Sequence, residues 1–208
     1  MSEDTQRVTF DYIEQSVPLW ADISQLTREN DLTTQLLIMV SEMNETYTAL
    51  LAGDQQEIVD GYVDVWWMAE VVKHLCYGYV STSYTVDFEL AIVKELIDQQ
   101  YPNLLDLNFE PFKKAVLDSN FSKFCFTAEQ LKHELENFEK EGFRVRTVAY
   151  PFTLESPESS EPVVTHIYCL RSEIDQVDSK GIYWPKDKVM KIKTYHRPNY
   201  KVIPVPKK

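Results

Sequence analysis

Apolar residues spaced three or four apart run through the first half of the chain. Phe10, Ile13, Val17, Trp20, Ile23 and Leu26 predict an amphipathic helix over 10–26, interrupted or begun near Pro18. A longer helical pattern occupies 32–52, with Asn30 or Asp31 as its cap and Gly53 as its stop. Asp54 starts the next helix three residues before Glu57, the spacing of a capping box, and that pattern runs to about Tyr77, ahead of Gly78. These two helices are expected to form a tight antiparallel hairpin. Further helices are predicted over 86–100, ending before Pro102, and over 110–118.

After Phe126 the periodicity changes. Residues 127–141 read as an exposed, charged helix, and then 144–154 and 163–171, both rich in β-formers, predict an antiparallel β-hairpin. The polar loop ESPESSEP, 155–162, connects them and carries no chemistry. The expected architecture is mainly α: an antiparallel helical bundle over 1–120, then an α+β appendage over 121–208 made of a helix, a β-hairpin and a basic tail. That tail holds Lys186, Lys188, Lys191, Lys193, Arg197, Lys201, Lys207 and Lys208 against one acid, Asp187. It reads as a solvated tail, with phosphate contact as the alternative.

Composition agrees with a packed globular protein: 44% of the 208 residues are hydrophobic and only 5 are glycine. No stretch reaches the roughly 18–20 apolar residues of a membrane helix, and the first thirty residues lack a signal-peptide pattern, so a soluble, cytoplasmic protein with no membrane partner is expected. Cys76, Cys125 and Cys169 are widely separated and odd in number, which favours buried thiols over disulfides or a zinc site. His74, His133, His166 and His196 show no ligand spacing. The formal charge of -12 is unevenly divided, with 4 Lys/Arg against 20 Asp/Glu in residues 1–110 and 17 against 13 in the remainder. An acidic body counts against nucleic acid as a partner, while leaving room for an anionic substrate bridged by divalent cations.

The acids of the predicted hairpin carry the candidate chemistry. Glu42 and Glu45 are i,i+3 neighbours, as are Glu57 and Asp60, and Asp64 follows one turn later, so each helix presents a stripe of carboxylates. With the turn near Gly53 and a rise of about 1.5 Å per residue, Glu45 lies roughly 12 Å before the turn and Asp60 roughly 10 Å after it. The two stripes are therefore expected at matching heights. Within IVDGYVDVWWMA, 58–69, Asp60 and Asp64 are the only charged residues, and unpaired carboxylates in such surroundings are costly. Arg28 and Lys73 are the only cations between residues 8 and 93, so divalent metal is the economical compensation; helix-borne oxygen ligands favour Mg²⁺, with Mn²⁺ as a substitute. Paired metals and carboxylates in turn point to phosphoanhydride hydrolysis.

The stretch SEMNETYTALLAGDQQEIVDGYVDVWWM, 41–68, resembles the signature EExxE, turn, ExxD of the all-α nucleoside triphosphate pyrophosphohydrolases, the MazG-like superfamily. It is particularly similar to the phage and bacterial subgroup described as phosphoribosyl-ATP pyrophosphohydrolase-like, in which the turn often reads AGD and an extra Asp follows ExxD, as Ala52, Gly53, Asp54 and Asp64 do here. Glu42 and Glu45 fall on the second and last acids of the first motif, Glu57 and Asp60 on the second, and Ser41 replaces the first acid. Ser119-Asn120-Phe121-Ser122-Lys123 and Pro198-Asn199-Tyr200 resemble two further segments of the subgroup, SNxSK and PNY.

The resemblance implies a MazG-like bundle that hydrolyses an NTP or dNTP to the monophosphate and pyrophosphate by metal-activated water. It implies Glu42, Glu45, Glu57, Asp60 and Asp64 as the Mg²⁺ ligands, with Glu42 or Glu45 also accepting the water's proton. Asn120 and Lys123 are candidate contacts to sugar or phosphate, otherwise capping and solvation residues. Trp20 and Trp67 are candidate base-contacting residues, otherwise core. The adjacent Trp66 and Trp67 face different directions, which suggests a second interface; the family's paired hairpins likewise imply a homo-oligomer, dimer or tetramer. Phosphoribosyl-ATP or a modified nucleotide is the alternative substrate. A non-catalytic nucleotide-binding or interaction protein is the alternative class, favoured by Ser41.

Overall fold

In the computed structural model, residues 13–77, 80–102, 104, 109–154, 163–179 and 181–198 are described. Phe10, Gly78, the 155–162 loop, Asn199, Tyr200 and the last lysines lie outside them. The chain is mainly helical with a small antiparallel sheet. Helix α1 (Ile13–Ile23) contains Pro18 within it and buries Val17, Trp20, Ala21 and Ile23.

Helix α2 (Arg28–Ala52) starts earlier than its apolar pattern predicts. Its cap is Thr27, whose hydroxyl accepts from the Asn30 N–H at 3.3 Å, while the Thr27 N–H donates to Asp31 Oδ2 at 2.8 Å. Asn30 and Asp31, the expected caps, belong to the first turn, and the other oxygen of Asp31 accepts from Arg171, 140 residues away. At the far end Gly53 adopts φ 72°, and the N–H groups of Gly53 and Asp54 close back on Leu50 and Ala49. Glycine suits that left-handed position. Asp54 then caps α3 (Gln55–Leu75), its Oδ1 accepting from Gln56 and Glu57 at 3.1 and 3.2 Å.

The resulting hairpin is drawn together at one crossing. A Cβ at Gly61 would collide with the Thr46 side chain and come within 3.1 Å of the Thr46 Cα, so only glycine permits α2 and α3 to pack this closely. Thr46 is itself fully buried, its hydroxyl turned back to the Glu42 carbonyl at 2.8 Å. Residues 46 and 61 are equidistant from the turn, which fixes the antiparallel register.

Helix α4 (Val80–Gln100) begins earlier than predicted, and α5 (Glu110–Phe121) continues three residues beyond its expected end. A two-residue strand β1 (Phe124–Cys125), helix α6 (Ala128–Lys140) and the strands β2 (Val145–Leu154) and β3 (Val163–Ser172) follow. The predicted β-hairpin is present, paired from Val145 opposite Ser172 to Leu154 opposite Val163, and β1 adds a third strand on the free edge of β3. Short strands β4 (Gln176–Val177) and β5 (Tyr183–Trp184) make a separate pair. One hydrophobic cluster runs through the helices into the sheet, from Val17 and Ile58 through Phe112 and Phe124 to Ile167 and Cys169. A smaller cluster joins α6 to the chain beyond β5, with Phe138, Leu170, Met190 and Ile192 buried together.

That second cluster corrects the reading of residues 186–198 as a solvated tail. Val189 bridges Arg171, the Met190 N–H donates to the Leu170 carbonyl at 2.8 Å, and the Ser172 N–H donates to the Lys188 carbonyl at 2.9 Å. Lys193 is held by α6, its N–H on Glu134 at 3.1 Å and its ammonium on Asn137 at 2.8 Å. Ser119 donates to the His196 carbonyl at 2.9 Å. The segment is thus fastened along its length.

All three cysteines are free and buried, with Cys125 and Cys169 pushed up to about 12, mainly by burial. Trp66 finds its cover within the chain, the Lys113 ammonium of α5 lying 4.8 Å from its ring centroid. Among the described residues, no helix is long and apolar enough to cross a membrane.

Candidate active site

Helical periodicity and the Gly61–Thr46 crossing bring the predicted acids together. Glu42 and Glu45 from α2, and Glu57, Asp60 and Asp64 from α3, line one cavity of about 370 Å³, with Gly61 and Asp54 also in its wall. The crossing sits between the two acid sets, so close packing of the backbones at Gly61 determines how near the carboxylates stand. Ser41, where the chain departs from the signature, is exposed and lies outside this wall.

Glu42 and Asp64 experience the most hostile surroundings. Burial, then the charges of Glu45 and Asp60, raise Glu42 to about 7; burial, then Asp60 and Glu42, raise Asp64 to about 8. Asp64 retains some solvent exposure at the cavity, yet protein encloses it closely. Among the described residues, neither carboxylate accepts a side-chain or backbone hydrogen bond or joins an ion pair. Two carboxyls pushed this far toward protonation, facing other acids, form a site that a divalent cation would relieve.

The donor chemistry fits Mg²⁺, since the wall offers carboxylate oxygens and no His or Cys. As they stand, no three of the described acids, histidines or cysteines are gathered tightly enough to enclose an ion.

A second cavity of about 430 Å³ adjoins the first and shares Glu42 and Asp64 with it. Trp20, Trp67, Asn120 and Lys123 all line it. Every site residue singled out in the sequence thus borders one of two neighbouring cavities. Trp20 and Trp67 are nevertheless core residues, 7% and 3% exposed, packed edge to face at 5.6 Å. Trp20 also donates from Nε1 to the Asn120 carbonyl at 3.2 Å and lies 5.8 Å beneath the Lys123 ammonium. They form wall rather than a free stacking platform.

Asn120 has its side chain in use at both ends: its Oδ1 accepts from Lys123 at 2.6 Å, and its Nδ2 donates to the Val116 carbonyl at 3.1 Å. It orients Lys123. Burial, then the neighbouring charge of Lys191, pushes the Lys123 ammonium down to about 8.

Sequence reading missed several participants. Asp54 was identified as a cap but also lines the acidic cavity, and Gly61 was passed over, although a lone glycine inside a buried helix is a sign of close backbone approach. Lys186, Lys188, Lys191 and Tyr195 line the second cavity, and no local signal distinguishes them from other basic residues of a tail. Compared with protein-family models, with characterised proteins and with solved structures, the chain matches none.

Proposed function

We propose that this chain is a Mg²⁺-dependent nucleotide pyrophosphohydrolase of MazG-like type, converting an NTP or dNTP to its monophosphate and pyrophosphate. The observation that carries the reading is the convergence of Glu42, Glu45, Glu57, Asp60 and Asp64 on one cavity that opens beside Lys123. Those five acids would hold Mg²⁺, which supplies Lewis-acid polarisation of phosphate oxygens and a lowered pKa for water. Glu42 or Glu45 would also accept the proton of the attacking water. Lys123, aimed by Asn120, offsets charge on the phosphates. Ser41, where the chain departs from the signature, is exposed and lies outside the cavity wall.

The test is release of pyrophosphate and orthophosphate, with product identification, from NTPs, dNTPs and phosphoribosyl-ATP in Mg²⁺ or Mn²⁺, with EDTA as control. Metal-dependent pyrophosphate together with a monophosphate is the expected result. Glu45→Gln and Asp60→Asn should each lower turnover by roughly 10²–10⁴ while leaving the fold intact. Silence across the panel, or undiminished turnover in the double variant, would overturn the assignment.

A further inference from the structure

The second cavity is lined by four lysines, Lys123, Lys186, Lys188 and Lys191. Of the acids in its wall, Asp31 is paired with Arg171 at 2.8 Å and Asp187 with Arg146 at 2.9 Å. Only Glu42 and Asp64 are left to balance the lysines, and they belong to the acidic cavity as well. Among the described residues, none of these four ammonium groups is ion-paired.

The arrangement is built, not incidental. Tyr195 is within cation–π reach of two of the cations, its ring centroid 4.8 Å from the Lys191 ammonium and 5.8 Å from that of Lys123, and Lys188 rests 5.4 Å from the Trp184 centroid. Met190 and Ile192 are buried on either side of exposed Lys191, so the alternation of an extended segment turns Lys191 away from the core. Asp187 holds φ 66°, a left-handed conformation unusual outside glycine, fastened by Arg146 on its carboxylate and by Arg171 Nε on its carbonyl at 2.6 Å. Like charges are thus held beside one another in a concave wall, an arrangement that suits a polyanion.

We propose that Lys188 and Lys191 of the C-terminal segment join Lys123 in holding the polyphosphate of the substrate, so that the appendage completes the site within a single chain. This rests on the nucleotide reading for the identity of the ligand. The depressed pKa of Lys188, caused by burial and then by Lys191, agrees with lysines held close without a counterion.

Inorganic tripolyphosphate, titrated calorimetrically into the full chain in EDTA, tests the lysines without metal or turnover. Lys188→Met/Lys191→Met should bind it at least about tenfold more weakly than the parent, each lost charge-assisted contact being worth roughly that factor. Lys132→Met/Lys140→Met on α6 removes the same charge from elsewhere and should bind as the parent does. Melting curves check folding, and single Lys191→Met serves if the double variant is unstable. Equal binding by parent and Lys188/Lys191 variant, an equal loss in the α6 variant, or displacement by an oligonucleotide without terminal phosphates as effective as tripolyphosphate would overturn the proposal. A chain that binds tripolyphosphate through these lysines but hydrolyses nothing keeps this inference and loses the hydrolase reading. Metal-dependent turnover with an unchanged KM in Lys188→Met/Lys191→Met does the reverse.

Discussion

The α2–α3 hairpin and the 185–198 segment bring opposite charges to adjoining cavities, and different physics positions each. In the hairpin, carboxylates three or four residues apart share a face because the helix repeats every 3.6 residues, and a two-residue turn brings the faces together. In the C-terminal segment, which has almost no regular structure of its own, the lysines are placed by hydrogen bonds to β3, α5 and α6 and by two buried apolar anchors. Local periodicity makes the acidic half robust. The basic half depends on contacts made across the whole chain, and it should be lost first when those contacts are cut.

The largest effect should come from Arg171, which is 2% exposed and donates to Asp31, to the carbonyls of Ser24 and Gln25, and to the Asp187 carbonyl. Arg171→Met leaves the Asp31 carboxylate buried without its cation and should destabilise the fold by about 3–5 kcal/mol in denaturant titrations. Amide exchange over 187–190 should accelerate more than over 42–64, and uniform acceleration would remove the contrast between the two regions.

Next in size is a pH effect between about pH 4 and 8 that originates in the acidic half. Glu42 and Asp64 rise from ordinary values of 4.5 and 3.8 to about 7 and about 8, so the folded chain binds more protons than the unfolded chain across that interval. Stability contributed by these groups is therefore greatest at low pH and falls as pH rises, with the cost complete above about pH 8. In EDTA the melting temperature should decline through this window, and millimolar Mg²⁺ should restore it. Asp64→Asn should flatten the decline, with a gain on the order of 1–3 kcal/mol at pH 8 without metal. A flat parent profile would show that these carboxylates are not strained.

Gly61→Ala should cost about 1–3 kcal/mol by driving a methyl into Thr46, and Thr46→Ala should recover only part of it because the Thr46 Cα is also close. Full additivity of the two in a double-mutant cycle would mean that the crossing does not couple them. The smallest effect is expected from Asn137→Ala, which frees the Lys193 ammonium from α6 and should cost about 1 kcal/mol by chemical denaturation, with faster exchange near Lys193.

Legibility in the sequence followed the same division. Gly53 and Asp54 announced the turn because a left-handed stop and a side-chain cap need particular residues, and the acids were found because their spacing matched a helix face. The start of α2 was misplaced because Asp31 looks like a cap until its partner is seen to be Arg171. The basic segment looked like a solvated tail because Met190 and Ile192 are too few to make a visible strand pattern, and their burial depends on α6 and β3.

The sequence by itself determined the mainly helical class, the hairpin and the stripe of each helix on which the acids lie, since all of these are properties of neighbouring residues. Only the tertiary structure decided that Gly61 sets the distance between the acids, that Asn120 aims Lys123, and that Lys188 and Lys191 face the same cavity as Glu42 and Asp64. Apart from the Asn120–Lys123 bond, which spans three positions, those arrangements join residues from fifteen to more than a hundred positions apart, held by packing and hydrogen bonds that leave no periodic trace along the chain.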